Sequence, residues 1–208
     1  MPKLVPPVLP AGTLRERDQP VLPGLRPWRP ADAGQVREAF GDAEIQRWHL
    51  LRIDDQDEAR DWIAQWGRRW ADEDAASWAI VDDGDEALGQ VGLRGVDLAG
   101  ASVHLSYWML PQARGRGLAT RAVGVVERWC FEEIGFRRLT LEHSTENVQS
   151  CRVAEKSGYA LEGVLRSCWQ HLDGWHDVHV HARTRAVDRP SSNTYGSNAG
   201  SVGAVPSS

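Results

Sequence analysis

Apolar and polar positions along the chain follow two periods, and the switches between them divide it into elements. "LRPWRP" (25–30) reads as a strand, and Asp32 is placed to cap a first helix running through Phe40. From Asp57 to Ala71 the period is helical, with Trp62, Trp66 and Trp70 at i, i+4 and i+8. That stripe reads as core, with the wall of an acceptor pocket as its functional alternative. Three alternating runs follow, "SWAIV", "ALGQVGLRGV" and "SVHLSYWM", separated by the turn signals "DDGDE" and "LAGA". They predict an antiparallel meander. A helical period then runs from Leu118 to Glu133 and stops near Gly135. "RRLTLEH" is a strand, "NVQSCRVAEKSG" a short helix ending on Gly158, and "YALEGVLRS" and "WHDVHVHAR" a closing strand pair. The order βααβββαβαββ predicts a mixed α+β layer fold.

Six prolines in residues 1–24 predict an extended arm that lies on the domain without building it. From Arg189 onward the chain is rich in Ser, Gly and Asn and nearly free of charge, which predicts a disordered tail. One domain of roughly residues 25–186 lies between them, and the expected division is arm 1–24, domain 25–186 and tail 187–208.

Composition narrows the classes. The 208 residues carry a formal net charge of −5 and are 41% hydrophobic and 25% charged, as in a globular domain. A nucleic-acid partner is not expected, because phosphate-backbone binding needs a broad basic face. No apolar run approaches a membrane span, and prolines break up the N-terminal segment, so neither membrane insertion nor export is expected. Cys130, Cys151 and Cys168 form no C-x-x-C pair, which fits a reduced, cytoplasmic protein.

Within the acidic whole, no Asp or Glu occurs from Leu98 to Val126, and Arg114, Arg116 and Arg121 all fall in that window. "PQARGRGLAT" (111–120) is a glycine-rich turn leading from a strand into a helix. Such a turn offers unpaired backbone N–H groups and the positive end of a helix dipole to an anion. It is neither a P-loop, which needs Gly-Lys-Ser/Thr, nor a dinucleotide fingerprint, which needs Gly or Ala where Thr120 stands.

The spacing Gln112-x-x-Gly115-x-Gly117 is the Q/R-x-x-G-x-G/A pattern of the GNAT N-acetyltransferases. Asn147, Ser150, "VAEKSGY" (153–159) and "EGVLR" (162–166) follow in family order. With "YWMLP" (107–111) and "LRPWRPADA" (25–33), the chain resembles the branch typified by the ribosomal-protein acetyltransferases RimJ and RimL over about residues 25–184. The resemblance implies an α+β GNAT fold, with about seven strands in a mixed sheet flanked by about four helices. It also implies acetyl-CoA as acyl donor. Met109 and Leu110 match the backbone positions that pair with the pantetheine arm. Arg114, Gly115, Arg116, Gly117, Leu118, Ala119 and Thr120 match the loop that wraps the pyrophosphate. Asn147 and Ser150 match positions near the thiol.

Transfer to a primary amine requires loss of an amine proton, a donor to the oxyanion and release of the thiolate. No metal is expected. Alternation puts His104, Ser106 and Trp108 on one strand face, directed at the cleft, and Val103, Leu105 and Tyr107 on the other. RimJ/RimL-like relatives commonly carry Glu where His104 stands and Gly where Ser106 stands. His104 is either the base, with a reference pKa of about 6.5, or a residue that only orders the cleft. Many GNAT enzymes place a tyrosine acid where this chain has Ala154, which leaves Ser150 as donor to the thiol or as a helix cap. Cys151 reads as a small buried helix residue. His176, His179 and His181 with Asp177 resemble metal ligands, but in a strand only Asp177, His179 and His181 share a face.

An α-amine, with a reference pKa of about 7.7–8.0 against about 10.4 for lysine, costs roughly 3–4 kcal/mol less to deprotonate at pH 7. A weak base therefore suits a protein or peptide N-terminus. The acidic balance also suits a small cationic acceptor such as a polyamine or amino-sugar antibiotic. Trp48, Trp62 and Trp66 are the candidate acceptor wall. A non-catalytic acyl-CoA-binding protein is the rival outside enzymes. The sequence is compatible with a homodimer and establishes none.

Overall fold

The computed structural model describes residues 6–185. The expected tail lies outside the described residues. Seven strands form one sheet in the order β1-β2-β3-β4-β5-β7-β6: β1 (Leu25–Pro27), β2 (Ala75–Val81), β3 (Ala87–Asp97), β4 (Ser102–Met109), β5 (Arg138–Ser144), β6 (Ala160–His171) and β7 (Gly174–Thr184). Every neighbouring pair is antiparallel except β4–β5. Five α-helices flank it: α1 (Ala33–Gly41), α2 (Ala43–Trp48), α3 (Gln56–Ala71), α4 (Leu118–Trp129) and α5 (Val148–Lys156). This is the mixed α+β sheet that the alternating periods predict, with one helix more than expected.

The additional helix is α2. It has six residues and buries only Ile45, so it leaves no readable period. Asp42 caps it by accepting from the Ile45 N–H at 3.0 Å. Asp32 stands at the start of α1, yet makes no side-chain cap there. Its carboxylate is held by the buried Arg26 guanidinium at 2.8 and 2.9 Å and by the Arg29 N–H at 2.8 Å. A bidentate charged pair outcompetes a single cap bond.

The sheet separates two cores. Against α4 and α5 pack Val91, Leu93, Val103, Leu105, Leu139 and Leu141 from the strands. The opposite core joins α1, α2 and α3 to Trp108 and Leu110. The tryptophan stripe of α3 divides between them. Trp62 and Trp66 belong to the second, while Trp70 packs with Trp78 and Trp129 in the first. α4 continues through a π-turn (Cys130–Ile134) to Gly135 at φ 94°, near the predicted stop.

The proline-rich segment is tied down at several points. Leu14 is fully buried and Leu9 nearly so, both within the first core. The indole N–H of Trp70 donates to Arg17 O at 2.8 Å, and that of Trp78 to Pro20 O at 2.9 Å. Glu73 is buried and accepts from the N–H groups of Gly12 (2.7 Å), Leu14 (2.7 Å) and Arg15 (3.3 Å). Burial alone would raise its pKa, but these donors outweigh it and hold the carboxyl below the ordinary value. A depressed carboxyl pKa stabilises the fold above the unfolded value of about 4.3, and the contribution is lost as pH falls through the folded value. Glu73→Ala is expected to lower stability by about 2 kcal/mol at pH 7 and to expose the arm to proteases. Thermal unfolding of the two proteins at pH 7 and pH 3 checks this, since the difference should shrink at the lower pH. Among the described residues no helix is long and apolar enough to cross a membrane.

Candidate active site

The parallel pairing of β4 with β5 stops at Leu105↔Leu141, although β4 runs to Met109 and β5 to Ser144. Past that point the two strands part. A cavity of about 1300 Å³ opens there and is lined from both sheet faces. Around it stand His104, Ser106, Trp108, Met109, Arg114 and Gly115 from β4 and the turn after it, Asn147 and Ser150 from the start of α5, and Trp48, Trp62 and Trp66 from α2 and α3. Of the residues expected to meet the acyl donor, Met109, Arg114, Gly115, Asn147 and Ser150 line this opening, whereas Leu110, Gln112 and residues 116–120 lie outside its lining.

At the donor end, Gly115 and Gly117 both have φ +74°, a conformation open to glycine and strained for other residues. A Cβ at either position would meet nothing within 4 Å, so the space over the turn is open. Gly117 is the N-cap of α4 and provides no side-chain cap. The Arg114 N–H donates to Pro111 O and that of Arg121 to Gly117 O, whereas the N–H groups from Gly115 to Thr120 have no acceptor among the described residues. Leu118, Ala119 and Thr120 contribute the first helical amides. Such a run is the donor set a diphosphate requires. Arg116 and Arg121 are exposed and make no ion pair among the described residues.

Four of the expected cofactor residues have other partners. The Arg114 guanidinium bonds Asp42 and Glu44, each at 2.6 Å, and Met109 O at 3.2 Å. It ties α2 to the turn. Gln112 donates to Glu38 of α1 at 3.2 Å. Leu110 is fully buried, with its N–H on Leu88 O and its carbonyl taken by the Ala113 N–H. Asn147 caps α5, accepting from the Ser150 N–H at 3.0 Å. The cap role weighed for Ser150 therefore belongs to Asn147.

Further along β4, His104 Nδ1 lies 3.1 Å from Glu142 Oε1 and hydrogen-bonds the Thr140 hydroxyl. The Glu142 hydrogen bond is the main reason the His104 pKa stands above 6.5, with burial acting against it. Nε2 has no hydrogen-bond partner among the described residues. His49 also borders the cavity, but burial, with Arg94 and His171 adding to it, lowers its pKa to about 4. That is too weak a base for an amine. The Ser106 hydroxyl and the indole nitrogens of Trp66 and Trp108 are buried without partners. Trp62 and Trp108 pack within 6.4 Å of each other beside Trp28 and Phe40, and Arg47 lies over the Trp48 ring.

Several residues of the site escape sequence reasoning. Glu142 reaches His104 from the neighbouring strand, and only the parallel β4–β5 register would have indicated it. Tyr107 faces the α5 side, where its hydroxyl is buried beside Ser150, and burial pushes its pKa up to about 12. Arg94, the cross-strand neighbour of His104, lies 4.4 Å over the Trp66 ring.

The sequence model described as "Acetyltransferase (GNAT) domain" matches residues 24–160, more than half of the chain. The chain is 26% identical over 114 residues to a protein of Bacillus subtilis (strain 168) named "Putative ribosomal N-acetyltransferase YdaF", covering 55% of this chain and 61% of that one. It is 25% identical over 99 residues to the "Ribosomal-protein-serine acetyltransferase" of Escherichia coli (strain K12), covering 48% and 55%. The match thus spans between half and two thirds of these relatives. Among solved structures, RimJ of Mycobacterium smegmatis in complex with CoA-disulfide superposes with a TM-score of 0.70 at 23% identity, over 78% of this chain and 84% of that one. RimL, titled "Ribosomal L7/L12 alpha-N-protein acetyltransferase", does so at 0.72 and 18% identity, over 77% and 92%. Those two likenesses concern the fold, and the sequence match concerns the family: the chain belongs to the GNAT acetyltransferase domain family.

Proposed function

We propose that this protein is a cytoplasmic acetyl-CoA-dependent N-acetyltransferase whose acceptor is the α-amine of a protein or peptide N-terminus. The observation that carries the reading is the parting of β4 and β5, with a run of free amides on one side and the His104–Glu142 pair on the other. Amides 115–120, with Arg116 and Arg121, would hold the pyrophosphate. The open edge of β4 near Met109 would pair with the pantetheine arm and offer N–H groups to the oxyanion. Acetyl-CoA supplies a thioester carbonyl carbon.

His104 takes the amine proton on Nε2, while Glu142 and Thr140 hold Nδ1 and stabilise the imidazolium that forms. The carbonyl carbon gains a C–N bond and loses its C–S bond, and the sulfur leaves as thiolate. Ser150, which lines the cavity with Tyr107 beside it, would donate to that sulfur.

A second reading, a small amine as acceptor, is favoured by the tryptophan wall, which suits a flat apolar molecule. A polyamine or amino-sugar fits less well, because Arg94 stands in that wall with no ion pair among the described residues and would repel a polycation. Acceptor-dependent thiol release from acetyl-CoA, measured with a panel of peptides and free amines, tests both. Turnover with peptides and a single acetyl group at the N-terminus is expected. Release with small amines alone favours the second reading, and acetyl-CoA binding without any release leaves a non-catalytic binding protein.

A further inference from the structure

On the sheet face covered by α5, three imidazoles and a thiol converge. His143 on β5 and His179 on β7 are direct cross-strand partners, and His181 sits two residues further along the same face of β7. Cys151 reaches them from α5, and one ligand-type atom from each of the four lies within 4.8 Å of the others. His143 and His181 stack with ring centroids 5.2 Å apart, and His179 stands edge-on to both.

The hydrogen bonds around the group fix which nitrogens are free. Only a protonated ring nitrogen can donate to a carbonyl. The Nδ1–H of His143 donates to Ser144 O at 2.8 Å, and that of His181 to Tyr159 O at 3.3 Å. Both rings therefore keep their lone pair on Nε2, and both Nε2 atoms are buried without a partner, as is Nδ1 of His179. His143 is 4% exposed and His181 1%. Ring orientation by carbonyl acceptors at the far nitrogen is the usual support of a metal-ligating histidine. Cys151 Sγ donates to Glu155 Oε1 at 3.6 Å, and a metal ion taking that sulfur would displace its proton.

We propose that His143, Cys151, His179 and His181 form a closed divalent-metal site whose three-nitrogen, one-sulfur donor set suits zinc. A tetrahedron with bonds of about 2.0–2.3 Å has edges of roughly 3.3–3.7 Å, so the four ligand atoms, now within 4.8 Å of one another, would draw together on binding. Four protein ligands leave no open position, so the metal is structural and pins α5 to β5 and β7. α5 begins with Asn147 and Ser150, so the metal would hold that wall of the cavity in place. The sequence expectation of no metal rested on a reaction that needs none, on the lack of a second cluster with ligand spacing, and on the run His176, His179, His181 and Asp177. The fold takes two of those away, since His176 bonds Ser144 Oγ and Asp173, and Asp177 accepts from the Ser167 N–H. It replaces them with His143 and Cys151.

The test uses untagged full-length protein stripped with a chelator and titrated with Co2+. One equivalent is expected to bind, giving the intense visible bands of a four-coordinate ion and a thiolate-to-cobalt charge-transfer band, and Zn2+ should displace it. Cys151→Ser should abolish the charge-transfer band and weaken binding at least about tenfold. His179→Gln should weaken binding similarly, with both variants retaining their far-ultraviolet circular dichroism. Asp173→Asn, in the separate Glu146–Asp173–His176 group, should leave the spectrum unchanged. No charge-transfer band in the parent protein, or the same band in Cys151→Ser, overturns the proposal. The readout is independent of acetyl transfer.

Discussion

Gly117→Val is expected to weaken acetyl-CoA binding by at least about a hundredfold while the protein stays folded. Gly117 sits at φ +74°, where a β-branched residue is strained, and nothing within 4 Å of its Cβ position would clash. The damage is therefore conformational. To relieve the strain the turn must rotate, and the amides of Gly117 and Leu118 rotate with it. Losing two charge-assisted hydrogen bonds at roughly 1.5–3 kcal/mol each corresponds to about 10² or more in Kd. Arg116→Ala removes one exposed charge and keeps every amide, so its effect should stay within about tenfold. Titration calorimetry with acetyl-CoA, with melting temperatures recorded beside it, separates binding from stability. An affinity within threefold of the parent in Gly117→Val would remove the amide cradle from the mechanism.

The second large effect concerns the base. His104→Ala and Glu142→Gln should each lower kcat/KM by about 10²–10³. The double variant should lose little more than either single one, because the two side chains act as a unit. The hydrogen bond that His104 donates to Glu142 raises the His104 pKa, so the neutral, active ring accumulates only above 6.5. The rate should rise with pH through that shifted value, and Glu142→Gln should move the inflection downward. The stability linkage has the opposite slope. A raised histidine pKa stabilises the fold fully below about 6.5, and the contribution is lost as pH rises through the folded value. Wild-type kcat/KM across pH 6–9 in His104→Ala would sink the assignment.

What the sequence makes legible is whatever local periodicity determines. β4 alternates because one face must pack on each core, so His104, Ser106 and Trp108 could be assigned to a common face before any coordinates. The Gln-x-x-Gly-x-Gly turn is readable because its glycines answer a backbone requirement that only their own positions set. Contacts between distant segments were not readable. Arg114 looks like a phosphate ligand within its acid-free window, but Asp42 and Glu44, some seventy positions earlier, reach it first. Glu142 and the His143–Cys151–His179–His181 group depend on which strands are neighbours and in what register. Spacing along one strand is silent about that.

The stretch that the family's sequence model matches is shorter than the stretch that folds. Its match begins at residue 24 and stops at residue 160. A fragment cut at those limits would lose Leu14 from the first core, strand both indole donors of Trp70 and Trp78, and leave the Glu73 carboxylate facing nothing. It would also lack β6 and β7, and leave β5 as a bare edge. Any transplant or truncation of the acetyl-transfer machinery therefore has to carry its flanks with it, because what lies outside the shared pattern is what keeps the shared pattern in shape.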